Sequence, residues 1–225
     1  MAPSGECILL PGVEGIFVQL VLFGVCCGVL ATKYHFEGAG RPLKDFMLDS
    51  SKQLAGAGFV HVLNLVCSVA LSRGDEAKGG SECGWYFLNI VVDCTLGVGV
   101  EYLALGVLVS VVSTCDDSVT TGDYRRGSDG SFVWRRYWKQ LGLWLLAVAS
   151  MKFAVLSGFS LCGAYLDAAV EDLLDRLKPE TRLPFVMIVT PMFMNALQFV
   201  LTDGFLKKRT RIHDGHTLIE QEEEK

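Results

Sequence analysis

The stretch GWYFLNIVVDCTLGVGVEYLALGVLVSVVS, Gly84–Ser113, is dominated by apolar residues and has two acidic side chains, Asp93 and Glu101. A helix rises 1.5 Å per residue, so about 20 residues cross a hydrocarbon layer about 30 Å thick. This stretch is long enough to do so. Four others match it in character: Val13–Ala31, Gln53–Leu71, Leu141–Leu166 and Pro184–Leu206. A soluble chain of 225 residues rarely contains five such segments. The reading is an all-α polytopic membrane protein, a bundle of about five transmembrane helices.

Composition agrees. Apolar residues make up 51% of the chain and mean hydropathy is +0.37, while the charged 20% cluster between the apolar segments. The longest polar segment, Thr114–Lys139, is too short to bury a core of its own. The expected organisation is a short lumenal N-terminus (1–12), a five-helix transmembrane domain (13–206) and a short cytosolic tail (207–225), basic then acidic. The first span lacks a basic leader, and Cys26-Cys27-Gly28 is a poor cleavage site, so a permanent helix is expected.

Basic residues set the orientation. The connections after spans one and three and the tail hold 14 of the 20 Lys and Arg residues, from Lys33 to Lys225. The opposite side holds five: Arg73, Lys78, Arg176, Lys178 and Arg182. Basic loops stay in the cytosol, so the C-terminus is expected there. The loop Lys33–Lys52 reads as a segment lying along the membrane surface, with Asp49 or Ser50 capping the second span. Asp116–Gly130 reads as a mobile polar loop. Phe132–Trp138 mixes aromatic and basic residues as an interfacial anchor does; a nucleic-acid role is not expected, because a span follows at once. Leu166–Leu177 is amphipathic and acidic and is expected to extend the fourth helix. Pro184 suits the first turn of the last helix, and Pro191 inside that helix is expected to kink it.

The eight cysteines show no metal-ligand spacing, so no metal and no cofactor are expected. Cys7 and Cys83 are expected on the same side of the membrane, which leaves a disulfide between them as one reading; the simpler reading leaves both as thiols. No GxSxG, HExxH or P-loop is present, and no enzyme activity is expected.

Polar residues at mid-depth are the informative ones, because each is unfavourable against lipid by about 2.5–3.5 kcal/mol when charged. They form a belt: His61, Asn64, Asn89, Asp93, Glu101, Lys152, Asn195 and Gln198. Helical spacing puts His61, Asn64 and Ser68 on one face, Asn89, Asp93, Gly97 and Glu101 on another, and Asn195, Gln198 and Thr202 on a third. Gly56, Gly58, Gly97 and Gly99 are expected to let helices approach closely. Lys152 is the cation at this depth, and Asp93 and Glu101 are its candidate partners. A packing cluster, an ion or ligand site, and a catalytic site all stand open. Asp93 and Glu101 lie about 12 Å apart by helical rise, too far to share a proton.

Several segments together resemble the STIMATE family: Asp49-Ser-Ser-Lys-Gln53, His61-Val-Leu-Asn64, Cys83 through Gly97, Gly122-Asp-Tyr124, Trp138-Lys-Gln140, Lys152, Pro191-Met-Phe-Met-Asn-Ala196 and Asp203. The run Tyr-Phe-Leu-Asn-x-x-x-Asp-x-Thr-x-Gly is the most specific. The resemblance implies a multi-pass protein of the endoplasmic reticulum membrane, alternatively of the vacuolar membrane as in fungal relatives. It implies a non-enzymatic regulator of store-operated calcium entry at contacts with the plasma membrane, with a STIM-type calcium sensor as partner. The alternative from the belt is a small transporter or ion-conducting protein. The chain departs from the family pattern at Met151, where an acid precedes the lysine, and at Glu101, where an apolar residue is usual.

Lys207, Lys208, Arg209 and Arg211 follow the last span directly. Such a cluster attracts anionic cytosolic lipids by about 1 kcal/mol per basic residue, and it equally serves as a positive-inside stop. The orientation is tested by Glu76→Cys in an otherwise cysteine-free chain. An impermeant thiol reagent added to the cytosolic face of intact vesicles is expected to leave it unlabelled; labelling from that face contradicts five spans.

Overall fold

The structure is a computed structural model that describes residues 13–37, 42–74, 81–119, 122, 124–126 and 131–202. The helices are α1 (Val13–Glu37), α2 (Leu43–Gly74), α3 (Glu82–Val92), α4 (Val98–Ser113), α5 (Trp134–Asp175), α6 (Pro179–Pro184) and α7 (190–202). A π-helical turn, Asp93–Gly97, joins α3 to α4, and a second, Phe185–Val189, joins α6 to α7. Among the described residues five helical segments are long and apolar enough to cross a membrane: Ile16–Phe36, Leu43–Ser72, Glu82–Ser113, Trp134–Gly163 and Pro179–Thr202. The tail with Lys207, Lys208, Arg209 and Arg211 lies outside the described residues, as does Cys7.

The helix ends follow local chemistry, and several differ from the sequence expectation. The third span matches to within two residues. Ser81, in extended backbone, caps α3 by accepting from the Gly84 N–H at 3.0 Å. The second span begins at Leu43 instead of Gln53. Asp49 and Ser50 are therefore interior helix residues and not its cap. A hydropathy window misses this extension because it contains Asp45, Asp49, Lys44 and Lys52; burial shows that Asp49 and Lys52 point into protein. The first span likewise runs on to Glu37, so the surface segment expected across Lys33–Lys52 is mostly helix. α5 starts at Trp134 and continues to Asp175, which bears out the helical extension past the fourth span. Trp134 and Trp138 remain exposed at its start, as an interfacial anchor requires.

The last span begins at Pro179, not Pro184. Lys178 is extended and Pro179 takes the first helical position. Pro184 falls inside the helix. The expected disturbance near Pro191 takes the form of the π turn just before it. There the Thr190 N–H and its hydroxyl both donate to the Phe185 carbonyl, the latter at 3.0 Å. An i→i−5 turn is a local way to accommodate a proline that lacks an N–H donor.

The core is built by α2, α3, α4 and α5 around Trp85, Tyr86, Trp144, Met151 and Phe159, and α1 packs more peripherally, its Cys26 and Leu30 clustering with Phe46 of α2 and Phe199 of α7. Two of the four expected glycines serve close approach. A Cβ at Gly56 would run into the Trp144 indole, and one at Gly97 would meet Met151 Sδ at 2.9 Å. Gly58 and Gly99 face open space, so the expectation fails for them. Gly56→Ala is therefore expected to lower stability by about 1–3 kcal/mol through overpacking. Gly58→Ala is expected to be neutral or mildly stabilising, since alanine is the better helix former. Thermal unfolding in detergent checks both; equal effects would contradict the packing.

Candidate functional site: two buried lysine clusters

The π turn at Asp93–Gly97 sits in the middle of the third span, and the polar belt is organised around it. Asn89 lies one turn before Asp93 on the same buried face, and its Nδ2 donates to the Trp85 carbonyl at 2.7 Å. That bond turns the amide oxygen toward α5. Lys152 Nζ on α5 donates to Asn89 Oδ1 at 2.6 Å and to Asp93 Oδ2 at 2.9 Å. Asp93 is fully buried and Lys152 nearly so. Asn64 on α2 faces the same carboxylate, and Ser68 closes back on the Asn64 carbonyl at 2.6 Å. Of the two candidate acids, Asp93 is the one that pairs with Lys152.

The rest of the belt does not join this cluster. Glu101 is buried farther along α4, where Gln198 of α7 faces it outside hydrogen-bond geometry. Gln198 Oε1 accepts from Cys94 Sγ at 3.4 Å. His61 turns away from Lys152. Its Nδ1 meets the Tyr86 hydroxyl at 3.3 Å, and the rings contact edge to face. His61 and Asn195 line a cavity of about 360 Å³ with Gln19, Phe23, Cys26 and Leu54, between α1, α2 and α7. The faces read from helical spacing divide: His61 parts from Asn64, Glu101 from Asp93, and Asn195 from Gln198.

A second cluster lies near the start of α2 and α5, the basic end of the bundle. Lys52 Nζ contacts Asp49 Oδ1 at 2.9 Å, donates to Gln140 Oε1 at 3.1 Å, and sits 5.0 Å from the Tyr124 ring centroid. The Tyr124 hydroxyl donates to Asp49 Oδ1. Ser51 Oγ and the Tyr137 hydroxyl are 2.8 Å apart. The segment expected to be a mobile loop is thus pinned at several described points. Gly122, at φ 89°, directs its N–H to Gln140 Oε1 at 3.2 Å. Arg125–Arg126 pairs antiparallel with Ser131–Phe132, and the Val133 N–H donates to the Tyr124 carbonyl. Lys139 binds Asp116 and donates to Ser118 Oγ at 2.9 Å.

The Asp116 carboxyl is held well below the usual carboxylate range, first by the Lys139 hydrogen bond and then by Ser118. Its contribution is present above the unfolded pKa and disappears only as pH falls through the folded value, in strong acid.

Sequence reasoning did not assign Asp49, Lys52, Tyr124 or Gln140 to a site. The available signal was that three of the resembling segments, Asp49–Gln53, Gly122–Tyr124 and Trp138–Gln140, each contribute a member. At the opposite end, Glu171 of α5 accepts from the Ser81 N–H at 3.2 Å and from its hydroxyl, tying α5 to the capped start of α3. Cys83 beside it is disulfide-bonded, which corrects the reading of a thiol there. Among the described residues no group of three His, Cys, Asp or Glu has metal-site geometry.

These features define a polytopic helical membrane protein whose spans are fixed by buried lysines. The STIMATE family model matches residues 83–208, and the chain belongs to that family. A vacuolar membrane protein of Saccharomyces cerevisiae is 27% identical over 221 residues, an alignment covering 87% of this chain and 78% of that protein. No solved structure matches.

Lys152→Met strands Asp93 in the core and is expected to destabilise the bundle by about 3–5 kcal/mol. Adding Asp93→Asn is expected to restore part of that loss, whereas adding Glu101→Leu is not expected to do so through any Lys152 pairing. Unfolding in mild detergent measures each; a silent Lys152→Met would show that the lysine faces water.

Proposed function

We propose that the chain is a non-enzymatic regulator of store-operated calcium entry, acting as a membrane adaptor where the endoplasmic reticulum meets the plasma membrane. Family membership carries this reading. The architecture supports it. The basic end presents a cytosolic surface, on the positive-inside orientation, in which Gly122 and Tyr124 are fastened to α2 and α5 through Gln140 and Lys52. A fastened surface suits a protein that positions a partner. The partner in this reading is a STIM-type calcium sensor, and the tail cluster Lys207–Arg211 adds attraction to anionic lipids of the facing membrane. The alternative compartment is the vacuolar membrane, in line with the name of the yeast relative. The alternative activity is ion conduction, which the buried charges of the belt favour.

Cells lacking their own family member test the proposal. Re-expression of this chain is expected to restore calcium entry after store depletion. Lys52→Met is expected to abolish that restoration, and adding Asp49→Asn, which removes the stranded carboxylate, is expected to recover part of it. No restoration by the wild-type chain, combined with ion flux through the reconstituted protein, would favour the conducting alternative.

A further inference from the structure

Five charged side chains are buried among the described residues: Asp49, Lys52, Asp93, Glu101 and Lys152. Four of them form two ion pairs, Asp49 with Lys52 and Asp93 with Lys152, each closing at 2.9 Å. Glu101 is left over. It is 2% exposed, and neither of its carboxyl oxygens accepts a hydrogen bond.

The surroundings do not supply a counter-charge. On its own span Glu101 is in the field of Asp93 and Cys94, one an acid and the other a thiol. α5, packed along α4, brings Lys152, whose ammonium is engaged by Asp93 and Asn89. α2 brings Cys67, which lies in the field of the Lys152–Asp93 pair. α7 brings Gln198, a neutral amide. Its oxygen accepts from Cys94, which turns its NH2 toward Glu101. The short turn Asp117–Val119, packed on the far end of α4, is next to the Asp116–Lys139 pair, which is already closed.

Acceptor oxygens are in excess in this region: Asp93 Oδ1 and Asn64 Oδ1 are buried and also receive no donor. Asp93 opens the π turn Asp93–Gly97, and Glu101 follows that turn on α4. An isolated carboxylate in a low-dielectric interior is so unfavourable that the group binds a proton in preference to remaining charged.

We propose that Glu101 is an intramembrane proton-binding site, which takes one proton from the aqueous phase onto a carboxyl oxygen and holds it on the buried face of α4. The step is a protonation only: carboxylate and proton become a neutral carboxylic acid, and no other bond changes. The proposal does not rest on the calcium-entry reading.

Infrared difference spectroscopy of the full chain in lipid vesicles tests it. At neutral pH the exposed carboxylates are ionised, so a carbonyl stretch of a protonated carboxylic acid reports a buried one. That band is expected in the wild-type chain, expected to shift on exchange into deuterated water, and expected to be lost in Glu101→Gln. If Glu101→Gln fails to fold, as judged by circular dichroism, Glu101→Asp is read instead, and the band is expected to move in frequency. No band at neutral pH, or the same band in the folded glutamine variant, overturns the proposal. The band is expected to persist when choline chloride is replaced by sodium chloride at constant pH; its loss would assign the site to a metal cation and likewise overturn the proton.

Discussion

The contact between the Lys152 ammonium and the Asn89 and Asp93 side chains sets the geometry of the bundle. A cation in mid-membrane is tolerated only with partners, and here both come from one face of one span, spaced by a single turn. Asn89 is itself oriented by the Trp85 carbonyl. The rotation of the third span is therefore fixed relative to α5. Around that contact the apolar packing follows: Gly97 receives Met151, and Gly163 lies under the Trp85 ring at 3.1 Å from where a Cβ would stand. A shifted register would separate lysine from carboxylate, and a stranded buried charge is far worse than a lost surface pair.

The same arrangement recurs at the basic end. Lys52 and Lys152 each meet one carboxylate and one side-chain amide oxygen, Asp49 with Gln140 and Asp93 with Asn89. Repeating the device at a second level fixes α2 against α5 just as the first fixes α3 against α5. At the second level it also fastens Tyr124 and Gly122. At the opposite end Glu171 and the Ser81 cap join α5 to α3. α5 is thus tied at three heights, which accounts for a single helix running from Trp134 to Asp175. α1 meets the bundle through fewer buried side chains and borders the cavity lined by His61 and Asn195.

The five spans were legible because hydrocarbon demands long apolar runs, and the third span was placed within two residues. The start of the second span was missed because charge there is neutralised inside the protein. Asp49 and Lys52 look like loop residues to any hydropathy window, yet they cancel each other across one helical turn and are buried. The belt was legible as a set of residues but not as a network. Helical spacing tells which residues share a face, and it does not tell which way the face turns. Lys152 and Asp93 met as depth suggested. His61 and Asn195 faced a cavity, and Glu101 stood apart from the lysine. The π turn had no signature that periodicity would register, although a glycine at 97 against a buried methionine is consistent with it. The disulfide at Cys83 was one of two readings the sequence left for that residue, and the thiol was the wrong choice, since pairing depends on where another cysteine comes to lie.

If buried lysines organise the bundle, the contact itself should be visible in a bilayer. The most direct measurement is the dipolar coupling between ¹⁵Nζ of Lys152 and the ¹³C carboxyl carbon of Asp93, by solid-state magnetic resonance on the selectively labelled chain in lipid vesicles. A coupling that corresponds to the 2.9 Å nitrogen–oxygen contact is the predicted result. It should disappear in Asp93→Asn labelled only at Lys152 and persist when Glu101 is replaced by Gln. An absent coupling in the wild-type chain, or one that is strong only between Lys152 and Glu101, would contradict the account.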